Sequence, residues 1–579
     1  MAKTYVVIAT AAGAIAVFLF SLFPVTDFDI WFHLAEGKLM IQDWYFPYTD
    51  VFSYTAQGAE NFPNSWGFTA FSYIAYTLVG LQGLNIIKAL VVAAAFLAAV
   101  WFFVRNQVSH MLISVGFLAF AFFAVREGFS LRPHTFSYLF FVLFWVLLLE
   151  YKKHRRTKWV AALGITQFLW TNMHASFVFG PVLTFFFIAD EFAQTKKLTK
   201  QNLLLAGTVG IASLLHMFYG ASYIARIAGD MLDPATSRLP VRDLLRATPD
   251  TFLSPAGIVL LAAIPLVWWS IKTRQWFFIA AFVFFAAITL WNARFVRELV
   301  LFVALTAPLS FVSLAGLSNQ IKRKVVLPSW ALKAVFIAFL LILFFAAKTS
   351  ALGVGLGLAP FTYPTKAVEF LRQNQILERT QGNLYHTYNF GGYLMWANQP
   401  HPIFIDGRVR PYHGQVFASY WTNFEGGETW QKSIGQYNIT SALMTLPHTD
   451  GKTVYNNSTP MFPKKEWALV YYDDVASIYV RRLDELAGFI AQHEYKVLNP
   501  QSLDLSYLQE YVQSEETFQE TVGEIQRALA QNPNSYRLHF TLAYMYSLAG
   551  LSNQMQEELK KTLDIHPHFQ QAKDILNQL

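Results

Sequence analysis

The 579-residue chain contains no cysteine. That absence excludes disulfides, a thiol nucleophile and any thiolate metal site. Charge is scarce as well. Asp, Glu, Lys and Arg together make up 14% of the residues, against roughly a quarter in soluble globular proteins. Long basic runs are also lacking. The net charge of +7 sits in short clusters between apolar segments, namely Lys152–Arg156, Lys196-Lys197, Lys272/Arg274 and Lys322–Lys324. That is how cytoplasmic loops look, and no nucleic-acid partner is expected. What is abundant is apolar surface: 54% of residues are hydrophobic and 17% aromatic, which points to lipid as solvent for much of the chain. Asn438-Ile-Thr440 and Asn456-Asn-Ser458 match a glycosylation acceptor pattern that arises often by chance.

The apolar segments run from Tyr5 to about Lys348, and beyond Pro360 the composition is that of a soluble protein. The first, Tyr5–Phe23, is longer than a signal-peptide core and no clear small-residue cleavage site follows it, so it reads as a retained helix. Further candidate spans are 66–80, 85–104, 109–125, 135–150, 158–171, 174–190, 203–218, 255–271, 276–292, 299–315 and 330–348. Twelve crossings would put Lys152–Arg156 on the outer face, against the positive-inside tendency. Taking 66–80 as an interfacial helix leaves eleven crossings and brings every basic cluster inside. The expected protein is a multi-pass cell-membrane protein with a cytoplasmic N-terminus and extracytoplasmic C-terminal domains.

Ionisable residues then collect at outward turns. In the first outer loop, a helix starting near Asp27 would place Asp29, His33 and Glu36 on one face, with Asp27 in its first turn or capping it. Paired carboxylates beside an apolar surface can supply a general base, and with a histidine they can hold a divalent cation such as Mg or Mn. Asp27 as a plain cap and His33 as an interfacial aromatic are the competing reading. A second cluster, Arg126-Glu127-Gly-Phe-Ser-Leu-Arg132-Pro133-His134, lies between two spans. Each charge would cost about 2.5–3.5 kcal/mol at the bilayer centre, so these side chains should face a polar cavity or the interface. Trp170-Thr-Asn172-Met-His174 forms a third cluster and Asn292-Ala-Arg294-Phe-Val-Arg297-Glu298 a fourth. Arg294 and Arg297, one turn apart, could clamp a phosphate or simply anchor a helix end.

Taken together these residues resemble a bacterial family of polytopic membrane proteins with a GT-C-type glycosyltransferase fold. Asp27-Phe-Asp29-Ile-Trp31-Phe-His33-Leu-Ala-Glu36-Gly37 and Pro47-Tyr-Thr-Asp50-Val-Phe-Ser53-Tyr-Thr55 are similar to its first loop. Leu131-Arg132-Pro133-His134, Trp170–His174 and Asn292-Ala-Arg294-Phe follow in order, and Tyr388–Trp396 and Phe404–Arg408 are similar to its C-terminal domain. The glutamate that the family usually carries after the first loop is absent at Asn64-Ser65-Trp66. The resemblance implies transfer of a sugar from a polyprenyl-phosphate donor to an extracytoplasmic acceptor. It makes Asp27 and Asp29, with His33, the catalytic candidates. Glu36, Glu127, Arg132, His134, Asn172, His174, Arg294 and Arg297 become candidate substrate contacts. The expected architecture is an α-helical, GT-C-like polytopic domain over 1–350 with a large outer loop 24–84, a soluble α/β domain over 360–485, and a helical tail over 500–579.

Strands are expected at 383–388, 402–406, 468–472 and 475–480, with Asp473-Asp474 turning the chain between the last two. Gly391-Gly392 and Asp406-Gly407-Arg408 could border a ligand or could serve a turn and a loop-fixing ion pair. Asn532-Pro533 and His566-Pro567 recur at a 34-residue interval, with Leu542-Ala543, Tyr546 and Gly550 at packing positions, in the manner of a tetratricopeptide repeat. Such a tail would pack on the α/β domain or offer a face to a protein partner. Membrane lipid and the lipid-linked donor are the other expected partners. An envelope assembly protein on the same fold is the alternative function. A transporter or flippase would need ionisable residues at mid-depth, where His216 is among the few.

Overall fold

A computed structural model describes residues 2–108, 110–232, 247–318, 337, 339–341, 343–348, 353–412, 414–449, 454–455, 458–502 and 504–578. The Lys322–Lys324 cluster, the start of the 330–348 segment, the middle of the Gly220–Pro255 turn and Asn456 lie outside them. The chain forms two compact units, one of Met1–Phe46 and Pro63–Leu358, the other of Pro47–Phe62 and Ala359–Leu579.

The first unit is helical. Its described helices include α1 (Ala2–Ser21), α2 (Asp29–Gln42), α3 (Trp66–Arg105), α4 (Met111–Ala124), α5 (Pro133–His154), α6 (Thr157–Met173), α7 (Phe179–Thr195), α8 (Lys200–Leu214) and α9 (Ser222–Leu232). They continue with α10 (Pro255–Leu260), α11 (Ala263–Lys272), α12 (Trp276–Trp291) and α13 (Val296–Ser318). Among the described residues, five stretches are long and apolar enough to cross a membrane: Thr4–Ser21, Trp66–Arg105, Pro133–His154, Ala175–Thr195 and Pro255–Lys272. The segments 66–80 and 85–104 join into the single element α3, broken at Gly80, whose φ of 66° and ψ of −175° no helix accommodates. A second glycine sets a close approach. A Cβ on Gly37 would fall 2.7 Å from the Thr69 carbonyl, so α2 lies directly on the first turns of α3.

Polar side chains sort to the two ends of this unit. At one end Arg105 donates to Glu150 at 2.7 Å, Asn106 to the same carboxylate at 2.8 Å, and Arg155 to Glu191 at 2.9 Å. Arg105 and the cluster Lys152–Arg156 thus meet Glu150 and Glu191 at this end. Nearer the other end, Asn85 donates to the Phe23 carbonyl at 2.8 Å, and the Lys88 ammonium lies 3.7 Å over the Phe23 ring. The Arg126 guanidinium donates to the carbonyls of Phe20, Ala347 and Gly353 at 3.3, 3.3 and 3.0 Å. Val25 and Leu358 then pair as a parallel bridge, with the Val25 amide donating to Gly357 at 2.8 Å. The chain just upstream of Asp27 is therefore pinned on several sides.

The second unit carries a four-stranded sheet in the order β1-β2-β6-β5, with β1 (Asn383–His386), β2 (Ile439–Thr445), β5 (Trp467–Tyr472) and β6 (Ala476–Arg481). A two-stranded ribbon, β3 (His448–Thr449) and β4 (Val454–Tyr455), stands apart from it. β1 runs parallel to β2, and the other neighbours are antiparallel. All six residues of β5 are buried, which is why it reads as a continuous apolar run, and so are all but the last of β2 and of β6. The expected hairpin turn holds: the Asp473 carboxylate accepts from the Val475 and Ala476 amides at 2.8 Å each. Asp474 does something else. Its carboxylate accepts from Ser535 and from the Tyr536 and Arg537 amides, capping the helix Tyr536–Leu548 and docking the tail on the sheet.

Three expectations for this unit are corrected. The stretch 402–406 is not a strand of the sheet. Ile403 instead makes an isolated parallel bridge to Ser53, donating to Phe52 at 2.9 Å and accepting from Tyr54 at 3.1 Å. Residues 47–62 accordingly pack with 359–579 rather than with the membrane domain. The third concerns β2, which occupies an interior position in the sheet where no strand was expected.

Candidate active site

The charged and imidazole side chains expected at outward turns converge at one end of the helical unit. Asp27 lies one residue before the N-cap of α2, which is Phe28 and carries no side-chain cap, so the expected place in the first turn or as cap is corrected; its carboxylate accepts the Asp29 amide at 2.9 Å in a local turn. The same carboxylate is ion-paired to the Nε of Arg132. A second arm of that guanidinium lies 3.2 Å from the Asp29 carboxylate. One arginine thus bridges the two acids of the first loop. It does so because Arg132 is the extended residue immediately before Pro133, which opens α5, and its side chain is free to turn back.

His33 and Glu36 do not share the outlook of Asp29. Both are buried on α2, and His33 shares a 2.8 Å hydrogen bond between Nδ1 and the Thr69 hydroxyl of α3. Burial, then the positive field of Arg132 and the proximity of His174, push the His33 imidazole down to about 3, so it is neutral at physiological pH. Among the described residues no three His, Asp or Glu side chains are gathered as a metal set. Both aspartates face Arg132 here, and His33 engages Thr69 through Nδ1.

The remaining candidates divide into those that meet at this end and those given to structure. The His134 and His174 rings lie 6.4 Å apart. His134 Nε2 is within 2.8 Å of the Gly128 carbonyl, and His174 Nδ1 lies 2.8 Å from the Ser176 hydroxyl. Arg297 packs over Gly128, where a Cβ would fall 2.6 Å from its Cδ, and hydrogen-bonds the Tyr138 hydroxyl. Arg294 is exposed, with its guanidinium 4.9 Å over the Phe295 ring. Of the two arginines only Arg294 is openly presented to solvent, so the expected symmetric clamp is instead one exposed and one anchored cation. Glu127 is exposed as well.

Asn172 is structural in its geometry. It accepts from the Trp66 indole and the Met217 amide, both at 2.9 Å, and donates to the carbonyls of Phe168 and Leu215 at 2.9 and 3.0 Å. Its side-chain amide holds the start of α3 against the ends of α6 and α8. The altered Asn64-Ser65-Trp66 element joins the same brace, for Tyr223 donates to the Asn64 carbonyl at 2.7 Å. Thr69 and Tyr138 escaped the sequence reading. Each lies in a segment read only for its hydropathy and on a different helix from its partner, so no local spacing signalled it.

In the second unit the Asp406-Gly407-Arg408 corner is a fully buried ion cluster. Arg408 lies 2.6 Å from both Asp50 and Asp406, and Tyr412 donates to Asp406 at 2.6 Å. The Asp50 carboxylate also accepts the Ser53 amide at 3.0 Å. Despite the opposing effect of burial, the surrounding carboxylates hold the Arg408 guanidinium firmly in its charged form. The loop-fixing reading of this motif is the one the geometry realises. Gly391 has a packing reason too: a Cβ there would fall 1.9 Å from the Ile405 carbonyl.

No family model matches the sequence, and no curated protein is similar to it. The fold is nonetheless shared with a solved enzyme. The archaeal oligosaccharyltransferase AglB from Archaeoglobus fulgidus, determined in complex with an inhibitory peptide and a dolichol-phosphate, superposes with a TM-score of 0.56. At 11% sequence identity the likeness covers 94% of this chain and 86% of that one. This extent of superposition carries the GT-C-like architecture expected from the first-loop motifs, a helical membrane part followed by a C-terminal region containing an α/β domain.

Proposed function

We propose that the protein transfers a sugar from a polyprenyl-phosphate donor to an acceptor on the extracytoplasmic side of the membrane. The observation that carries this reading is the meeting of Asp27, Asp29 and Arg132 at the same end of the helical unit as His174, Arg294 and Arg297, on a fold shared with an enzyme solved with a dolichol-phosphate.

The chemistry asks for two things of such a site. A carboxylate takes the proton of the acceptor group as its heteroatom bonds to the anomeric carbon. The bond from that carbon to the phosphate oxygen breaks, and the phosphate leaves with the electron pair, where a cation must meet it. Asp27 and Asp29 suit the first task, and the exposed Arg294 suits the second. The anchored Arg297 and the neutral His33 would shape the pocket rather than exchange protons. The bridging of both aspartates by Arg132 also favours a second reading, an envelope assembly protein in which these charges only hold the loop.

Lipid-linked sugars in membranes separate the two readings. In a host lacking the native gene, the wild type is compared with Asp27→Asn/Asp29→Asn, and the lipids are read by mass spectrometry. Build-up of a polyprenyl-phosphate sugar only with the variant is the expected outcome. Identical lipid profiles with both proteins in the membrane would leave the assembly reading standing.

A further inference from the structure

The two carboxylates of the first loop are separated by a single residue, and both are engaged by one cation of the chain. Such a pair repels itself unless a positive charge lies between its members. A magnesium ion placed there would require six oxygen ligands in near-octahedral geometry. Here His33 shares a hydrogen bond between Nδ1 and the Thr69 hydroxyl, and no three His, Asp or Glu side chains gather into a metal set among the described residues. The arginine fork meets the need differently. Its Nε is paired to Asp27, and another nitrogen stands 3.2 Å from Asp29. The Arg132 side chain is 26% exposed and Asp29 29%, so the bridge lies at the rim of the site, where an acceptor can approach it.

We propose that Arg132 is the resident cation of the Asp27–Asp29 pair, a positioning residue that holds both carboxylates aligned, so that this site takes no divalent metal. The inference rests on the reading of Asp27 and Asp29 as the acceptor-facing acids. It makes a different prediction from that reading, because it concerns what the acids bind.

The test uses the full chain in lipid nanodiscs and manganese ion as the probe, followed by the free-ion electron paramagnetic resonance signal. Wild type and Asp27→Asn/Asp29→Asn should deplete the manganese signal equally through the millimolar range. A saturable site in the wild type that vanishes in the double variant overturns the proposal. Melting curves give the second readout. Arg132→Met should melt below the wild type and regain stability on adding manganese, because the ion then neutralises the exposed pair, whereas the wild type should not respond. Arg132→Lys, which keeps charge without the fork, should fall between the two, and it carries the test if the methionine variant does not fold. Melting of these variants at the wild-type temperature would also overturn the proposal. Neither readout needs turnover. A failed transferase reading shows in the lipid profile, and a failed cation assignment shows in manganese binding.

Discussion

Replacing Asn172 by alanine strands the Trp66 indole and the Met217 amide together, since both donate to its one carbonyl oxygen. The indole is part-buried and the amide belongs to the exposed Met217, so leaving them unpaired should destabilise the chain by about 1–2 kcal/mol, seen as a lower melting temperature in detergent. His386 gives a pH signature of its own. Its Nδ1 lies 3.1 Å from the Thr387 carbonyl, and its Nε2 accepts the Phe404 amide at 2.9 Å, so the neutral ring uses both nitrogens. Burial pushes this imidazole down to about 4 from an ordinary 6.5. The unfolded chain therefore binds a proton near pH 6.5 that the folded chain refuses until about pH 4, so stability is full above that window and falls as the pH drops through it. Melting temperatures measured from pH 7.5 to 4.5 should show this fall, and His386→Asn, which can reproduce a donor and an acceptor, should flatten it. At this scale the sequence announced the right end of the molecule more readily than the right partners. Asp27, Asp29 and Arg132 stood out because charge is rare next to apolar spans. Three of the four partners of Asn172 lie more than forty residues away, and only the packed helices bring them to it.

Among the elements, the helix Phe390–Ala397 lies on the Ile405–Asp406 backbone through Gly391. Gly391→Ala would drive a methyl into a carbonyl oxygen, and overpacking of this kind should cost about 1–3 kcal/mol or more. Gly435, in the helix Gly427–Tyr437, has open space around its Cβ position, so Gly435→Ala should be neutral or stabilising by up to about 1 kcal/mol. Chemical denaturation of the two variants side by side checks both signs. Long apolar helices and the β5–β6 hairpin were legible because hydrophobic length and an Asp-Asp turn are local signals. β2 was not. Its sequence, Ile-Thr-Ser-Ala-Leu-Met-Thr, carries three hydroxyl residues, and its first two residues complete the acceptor-like match that begins at Asn438. In the fold Asn438 is the left-handed residue closing the preceding helix, and Thr440 is buried in the sheet. The break at Gly80 in α3 follows the division expected between 66–80 and 85–104, because a glycine with a positive φ ends one helical run and lets the next begin.

For the molecule as a whole, the second compact unit begins at Ala359 and takes in one stretch from far earlier in the chain. Residues 47–62 pack in the second unit, and no composition shift marks them, since their own sequence is as polar and aromatic as any loop. What ties them there is a buried charge, Asp50 on Arg408, and charge pairing between distant residues leaves no local trace. A fragment spanning 359–579 should consequently melt below the same unit in the full chain, with Arg408 short of one carboxylate. A synthetic peptide of residues 47–62 added in excess should raise that melting temperature, while a peptide carrying Asp50→Asn should raise it less. Melting by circular dichroism with and without each peptide checks the expectation. The same arrangement bears on how the protein is made. Thr55 and its partner Phe404 are 349 residues apart in the chain. At ordinary rates of synthesis roughly 20–70 s pass between the emergence of one and of the other. Throughout that interval the first loop waits without the arginine its aspartate will bury, so the ribosome's own schedule decides when this part of the protein can mature.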